Sequence, residues 1–343
     1  MIDRRRLMLA AAASAATAPI LVPTRTRAAN DADARLNTLL DGWFDEDIEA
    51  APERATSLGL DRGAREGLAA RLSEAGPDAS RVNRERALRR WETLRTFDPT
   101  GLSEAGALNH AIAVFDRETA AETARFAYGA GPGLGSPYVV TQLTGSYFEI
   151  PDFLDNQHRV EDAADADAFL SRLEAFAGVL DGETAKVRED AGLGVVPPDF
   201  VIDRALPQIR TLRDTPAADM AMIRSLVRKA AAVGLAGYDA RAEAIIDEKV
   251  RTALGRQIEA LEAIRPGAVH DAGVWRLPDG AAFYANGLKA NTTTGMSAAE
   301  IHALGKEQVA EISAEIDGIL KAQGYTQGTV GERVQMLNRQ PDQ

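Results

Sequence analysis

Apolar residues recur at three- and four-residue intervals through most of this 343-residue chain, the spacing of helices that bury one face. Between residues 165 and 190, Phe169, Leu170, Leu173, Phe176, Ala177, Leu180 and Val187 share one helical face. Gly192 and Gly194 then offer a stop, and Pro197-Pro198 prevents resumption. A second stripe over 218–233 uses Met222, Ile223, Leu226, Val227 and Ala230. A longer one over 238–264 uses Ile245, Ile246, Val250, Leu254, Ile258 and Leu261, and Pro266-Gly267 ends it. Ser297 with Glu300 reads as a capping box opening a helix that carries Ile301, Leu304, Val309, Ile312, Ile316 and Leu320 as far as Gly324. Residues 32–49 and 79–97 are further helix candidates.

Two stretches break the period. Residues 126–153 are rich in Gly, Pro and aromatics and read as a long loop with one short strand at 137–141. Residues 266–296 read as a second irregular segment holding a short hairpin or helix. No repeat of fixed period and no Ser/Gly linker divides the chain, so the pattern predicts a mostly α, multi-helix single unit interrupted by long irregular loops.

The first 28 residues stand apart. Arg4, Arg5 and Arg6 precede an alanine-rich apolar stretch that is too short for a membrane span, as in a secretory signal peptide. Arg4-Arg5 followed by x-Leu-Met resembles a twin-arginine export signal, and Arg25 and Arg27 before a cut after Ala28 suit that route. The expected layout is therefore a signal peptide at 1–28 and a helical domain at 29–343, located in the periplasm or secreted, with membrane contact only during export.

Composition narrows the chemistry. There is no Cys, which excludes thiolate nucleophiles, Cys-ligated metals and lipid attachment at a lipobox cysteine. The net charge is −12, unsuited to nucleic acid. His110, His158, His270 and His302 are scattered, and none is followed by Glu, so no local His pair could grip a metal. His270-Asp271 is a bare dipeptide of the kind that orients a base in a triad. No Gly-x-Ser-x-Gly elbow occurs, and the glycine run at 129–135 has Leu134 where a dinucleotide fingerprint needs Gly. Asp152 and Asp155 have the residue types of a glycosidase pair, but such pairs abound among 51 acidic residues.

Several segments together resemble the bacterial "domain of unknown function 885" family. They are residues 36–44 (LNTLLDGWF), 52–60 (PERATSLGL), 136–147 (SPYVVTQLTGSY), 151–155 (PDFLD) with His158, 194–200 (GVVPPDF), 275–280 (WRLPDG), 292–294 (TTT) and 300–305 (EIHALG). The resemblance runs in order over nearly the whole chain after residue 28. It implies an exported protein whose fold is similar to the N-terminal part of a helical zincin-type metallopeptidase. In that family the zinc site is expected in a C-terminal half, around a His-Glu…Pro-Gly-His-His helix that has no counterpart here. The resemblance thus implies no catalytic residue, metal ligand or cofactor in this chain, and zinc only where a C-terminal half or second polypeptide is supplied. It also implies one wall of a peptide channel, for which Tyr138, Gln142, Tyr147, His158, Trp275 and Tyr284 are candidates as polar-tipped residues in or beside the irregular segments. The alternative expectation is a free-standing periplasmic peptide-binding or interaction module that uses residues 126–153 for recognition.

Overall fold

The computed structural model describes residues 24–129 and 136–339, with side-chain surroundings from Asp31 onward. Arg4, Arg5 and most of the glycine run lie outside the described residues. Thirteen α-helices and no strand occur among those described. The N-terminal group is α1 (Thr24–Ala50), α2 (Pro52–Ser57), α3 (Pro77–Arg95) and α4 (Glu104–Thr123). The central group is α5 (Ser146–Asn156), α6 (Ala163–Gly192), α7 (Asp199–Asp214), α8 (Ala221–Ala232), α9 (Tyr238–Ile245) and α10 (Arg251–Ile264). It is followed by α11 (Gly280–Thr292), α12 (Ala298–Ala322) and α13 (Val330–Asn338). The anticipated cut after Ala28 falls within the opening turns of α1.

The main core forms where the strongest stripes meet. Phe169, Leu173, Phe176 and Leu180 of α6 are fully buried, and Ile202 and Ile209 of α7, Leu226 of α8 and Leu254 of α10 join them. Burying a side chain of this size contributes about 1.5–3 kcal/mol, so these four helices carry the main hydrophobic stabilisation. Asp162 caps α6 by accepting from the Asp165 N–H at 2.9 Å, and the chain leaves α6 through Gly194 at φ +83°.

Two expectations change. The loop expected at 126–153 contains α5, which accommodates Pro151 internally and is started by Gly145 at φ +113°. Its first N–H, from Ser146, is satisfied by Glu183 of α6 at 2.8 Å, a tertiary cap that no local pattern encodes. The strand expected at 137–141 is instead a bent segment in which the Thr141 N–H donates to Thr144 O at 3.1 Å. The segment at 266–296 takes the helix of its two expected forms: the 13-residue α11 is fixed to α4 by Lys289 on Glu118 and Glu122, both at 3.3 Å.

The capping box at Ser297 and Glu300 is present, but the stripe it introduces is not buried. Leu304, Val309, Ile312 and Ile319 are exposed, and Leu320 is the one buried residue of α12. α12 packs on α13, where Arg333 is buried against Asp317 and the Tyr325 carbonyl, and neither helix adds a residue to the main core.

Candidate functional site

The six wall candidates separate into three environments. His158 is buried and fully engaged. The Nη1 of Arg172 donates to its Nδ1 at 2.8 Å, so Nε2 carries the ring proton and donates to the Asp165 carbonyl at 3.0 Å. Burial, with the Arg172 charge adding to it, pushes the ring down to about 4, and the imidazole is neutral. Arg172 itself is fully buried on α6. It donates to the carbonyls of Arg71, Leu68 and Pro52 and to Thr56 Oγ1, and stacks on Phe153 at 4.9 Å. No carboxylate touches its guanidinium, and burial lowers it to about 10. This hub ties the chain around α2 to α5 and α6.

Tyr147 and Gln142 sit at the head of α5. The buried Tyr147 hydroxyl lies 2.7 Å from both the Thr141 carbonyl and Gln208 Oε1, while Gln142 Oε1 is buried without a partner. Burial, and then the nearby Glu183, raise Tyr147 to about 12. Beside it, Glu183 accepts from both the N–H and the hydroxyl of Ser146 at 2.8 Å and from Gln257 Nε2 at 3.3 Å. With no cation in contact, burial pushes Glu183 up to about 7.

Tyr138 and Trp275 lie near the third group, an aromatic cluster of Phe126, Tyr128 and Phe283 around Val195 and Leu277, with Tyr284 next in sequence to Phe283. The Tyr138 hydroxyl accepts from Arg276 at 3.0 Å. Trp275 is 69 % exposed and Tyr284 50 % exposed, so both present free ring surface. Lys186, buried on α6, holds the start of this region by donating to the Ala127 carbonyl at 2.8 Å and pairing with Asp190 at 2.5 Å. Asp190 in turn accepts from the Gly129 N–H.

A feature the sequence did not reveal lies in the N-terminal group. A groove of about 1110 Å³ opens between α1, α3 and α4, floored by Leu72, Ala87 and Ala120 and bordered by the turn at residues 71–74. Arg90 is buried in it. Its Nη1 lies 2.8 and 3.0 Å from Asp47, and its Nη2 bonds Glu46 at 2.8 Å and the Trp43 carbonyl at 3.0 Å. Its Nε–H has no partner. The residues involved are far apart in sequence and individually ordinary, and for that reason no motif marked them.

Metal chemistry finds no foothold in the described part of the chain. Among the described residues, no group of three or more His, Asp or Glu is placed to hold a metal ion. His158 has both nitrogens committed, and His270 pairs with Asp199 at 2.9 Å rather than with Asp271. The described residues do not fit a zinc site. No described helix is long and apolar enough to cross a membrane.

These elements define an all-helical protein with a charged groove and buried polar hubs. Residues 52–343 match the family described as "Bacterial protein of unknown function (DUF885)", and the chain belongs to that family. The fold is similar to the crystal structure of "the putative lipoprotein from Colwellia psychrerythraea", with a TM-score of 0.77 at 22 % identity. That similarity covers 91 % of this chain and 55 % of the other, so this chain spans about half the length of its structural neighbour. No curated protein matches.

Proposed function

We propose that this chain is the N-terminal portion of an exported, zinc-metallopeptidase-like assembly, with the reacting centre supplied by a further segment or a second polypeptide. The observation that carries the reading is α12, a capped 25-residue helix whose Leu304, Val309, Ile312 and Ile319 face solvent. Contiguous apolar surface of this kind marks an interaction site. The structural neighbour is longer by nearly half its own length, which gives such a face something to meet. Peptide is the proposed substrate class, with Trp275 and Tyr284 offering exposed rings along the wall. Tyr138, Gln142, Tyr147 and His158 would shape that wall from behind. Export through the twin-arginine route, read from Arg4 and Arg5, would place the assembly in the periplasm.

The test is to sequence the locus beyond codon 343, co-express any downstream frame that encodes a His-Glu…Pro-Gly-His-His helix, and measure bound zinc and peptide hydrolysis. A stable complex with stoichiometric zinc and activity absent from either part is the expected result. Stoichiometric zinc and full hydrolysis by the 343-residue chain alone would overturn it. A second reading, a free-standing periplasmic peptide-binding module, is favoured by the open groove between α1, α3 and α4.

A further inference from the structure

The groove between α1, α3 and α4 is unequal in how its charges are satisfied. Six carboxylates line it, and five are already engaged: Asp45 and Glu49 by Arg65, Glu46 and Asp47 by Arg90, and Asp116 by Arg117. Only Glu74 has no partner among the described residues. Elsewhere in the lining Arg54, Arg71 and Arg89 have no side-chain partner among the described residues, and Arg86 bonds only Asn83. The lining therefore presents four arginines with no carboxylate against one free carboxylate.

Arg90, 95 % buried by its side chain, is held by Glu46, Asp47 and the Trp43 carbonyl and adds no free charge to the lining. Guanidinium forks match carboxylates in plane and spacing, which sets the chemistry of the occupant.

We infer that this groove binds an acidic peptide segment. Its lining on α3 runs from Ala79 to Arg90, about 16 Å of helix at 1.5 Å per residue. An extended peptide covers that length with about five residues at ~3.3 Å each. The volume exceeds the usual range of small-ligand pockets, roughly 300–1,000 Å³. Apolar lining positions such as Ala79, Val82 and Ala120 accept the carbon stems of the peptide while its carboxylates meet the arginines. The protein's net charge of −12 gives anions no long-range attraction, so selectivity resides in the groove itself. The inference rests on the second reading above, of the groove as a peptide-binding face; that face is separate from α12, and the failure of the inference would leave the proposal for α12 standing.

The experiment uses the 343-residue chain and three probes: a labelled pentapeptide alternating Glu and Ala, its Lys-Ala counterpart, and citrate. The acidic peptide is expected to bind and the basic one not. The variant Arg54→Gln/Arg71→Gln/Arg89→Gln, all at exposed positions, should weaken binding about tenfold. Arg204→Gln/Arg224→Gln, exposed and outside the groove, should bind as wild type. Arg89→Gln alone should show a partial loss, which guards against a folding defect in the triple variant. Equal binding of acidic and basic peptides, or an unchanged affinity in a folded triple variant, would overturn the inference. Citrate binding as tightly as the peptide would also overturn it, by making the groove a small-anion site.

Discussion

Replacing Glu183 with Gln should remove a pH dependence built into the centre of the fold. Glu183 is 8 % exposed, accepts two bonds from Ser146 and one from Gln257, and touches no cation. Burial raises it from an ordinary 4.5 to about 7, so the folded protein keeps this proton to a higher pH than the unfolded chain. Between those values the folded state binds more protons, and unfolding free energy falls as pH rises. The stabilisation is complete below 4.5 and lost above 7, a change of about 3 kcal/mol. Gln imitates the protonated carboxyl, and its amide can reach the Gln257 Oε1 that otherwise lacks a partner. Urea denaturation of both proteins at pH 4.5, 6 and 8 isolates the effect as a difference. Glu183→Gln should match wild type at pH 4.5 and exceed it by about 2–3 kcal/mol at pH 8. A variant less stable than wild type at pH 8, or a difference independent of pH, would refute the reasoning.

Other expectations follow from the same interior. His158 is held at about 4 against an ordinary 6.5, so its contribution is present above 6.5 and lost as pH falls through 4; it is worth about 3 kcal/mol. An NMR titration should show the His158 ring neutral, with its proton on Nε2, down to about pH 4. Arg172→Met should cost about 3–5 kcal/mol in chemical denaturation, because it strips donors from three carbonyls and Thr56, and Arg172→Lys should not rescue it, lacking the planar fork. Ile312→Ser on α12 should change stability by under about 0.5 kcal/mol in thermal melts of the chain alone, yet weaken capture of a complementing polypeptide.

The strongly amphipathic helices were legible because their stripes are also their buried faces: α6, α8 and α10 lie where the spacing put them. α5 and α7 were hidden by internal prolines, Pro151 and Pro207, whose missing N–H normally ends a helix. α4 gave no signal because Leu108 and Ile112, which would mark a stripe, are exposed. α12 shows the reverse case, a clear stripe of which Leu320 alone is buried among the described residues. The buried charges of α6 are in part marked by the sequence. Arg172 and Glu183 stand at i+3 from Phe169 and Leu180, on the flank of the buried stripe, whereas Lys186 lies about 100° away from it and is buried by the chain packed over that side. Their partners come from residues up to 120 positions away, and that no local reading supplies. The groove is harder still, since its arginines come from α2, the turn after residue 70, and α3, and only the fold reveals which carboxylates leave them unpaired.

The central claim is that α12 presents a face meant to be covered, and amide hydrogen exchange tests it most directly. In the 343-residue chain the amides of α12 should exchange far faster than those of α6, because few buried contacts oppose their opening. Addition of the complementing polypeptide should slow them strongly while leaving α6 unchanged. If α12 in the chain alone is already as protected as α6, the face is not waiting for a partner and the account is wrong.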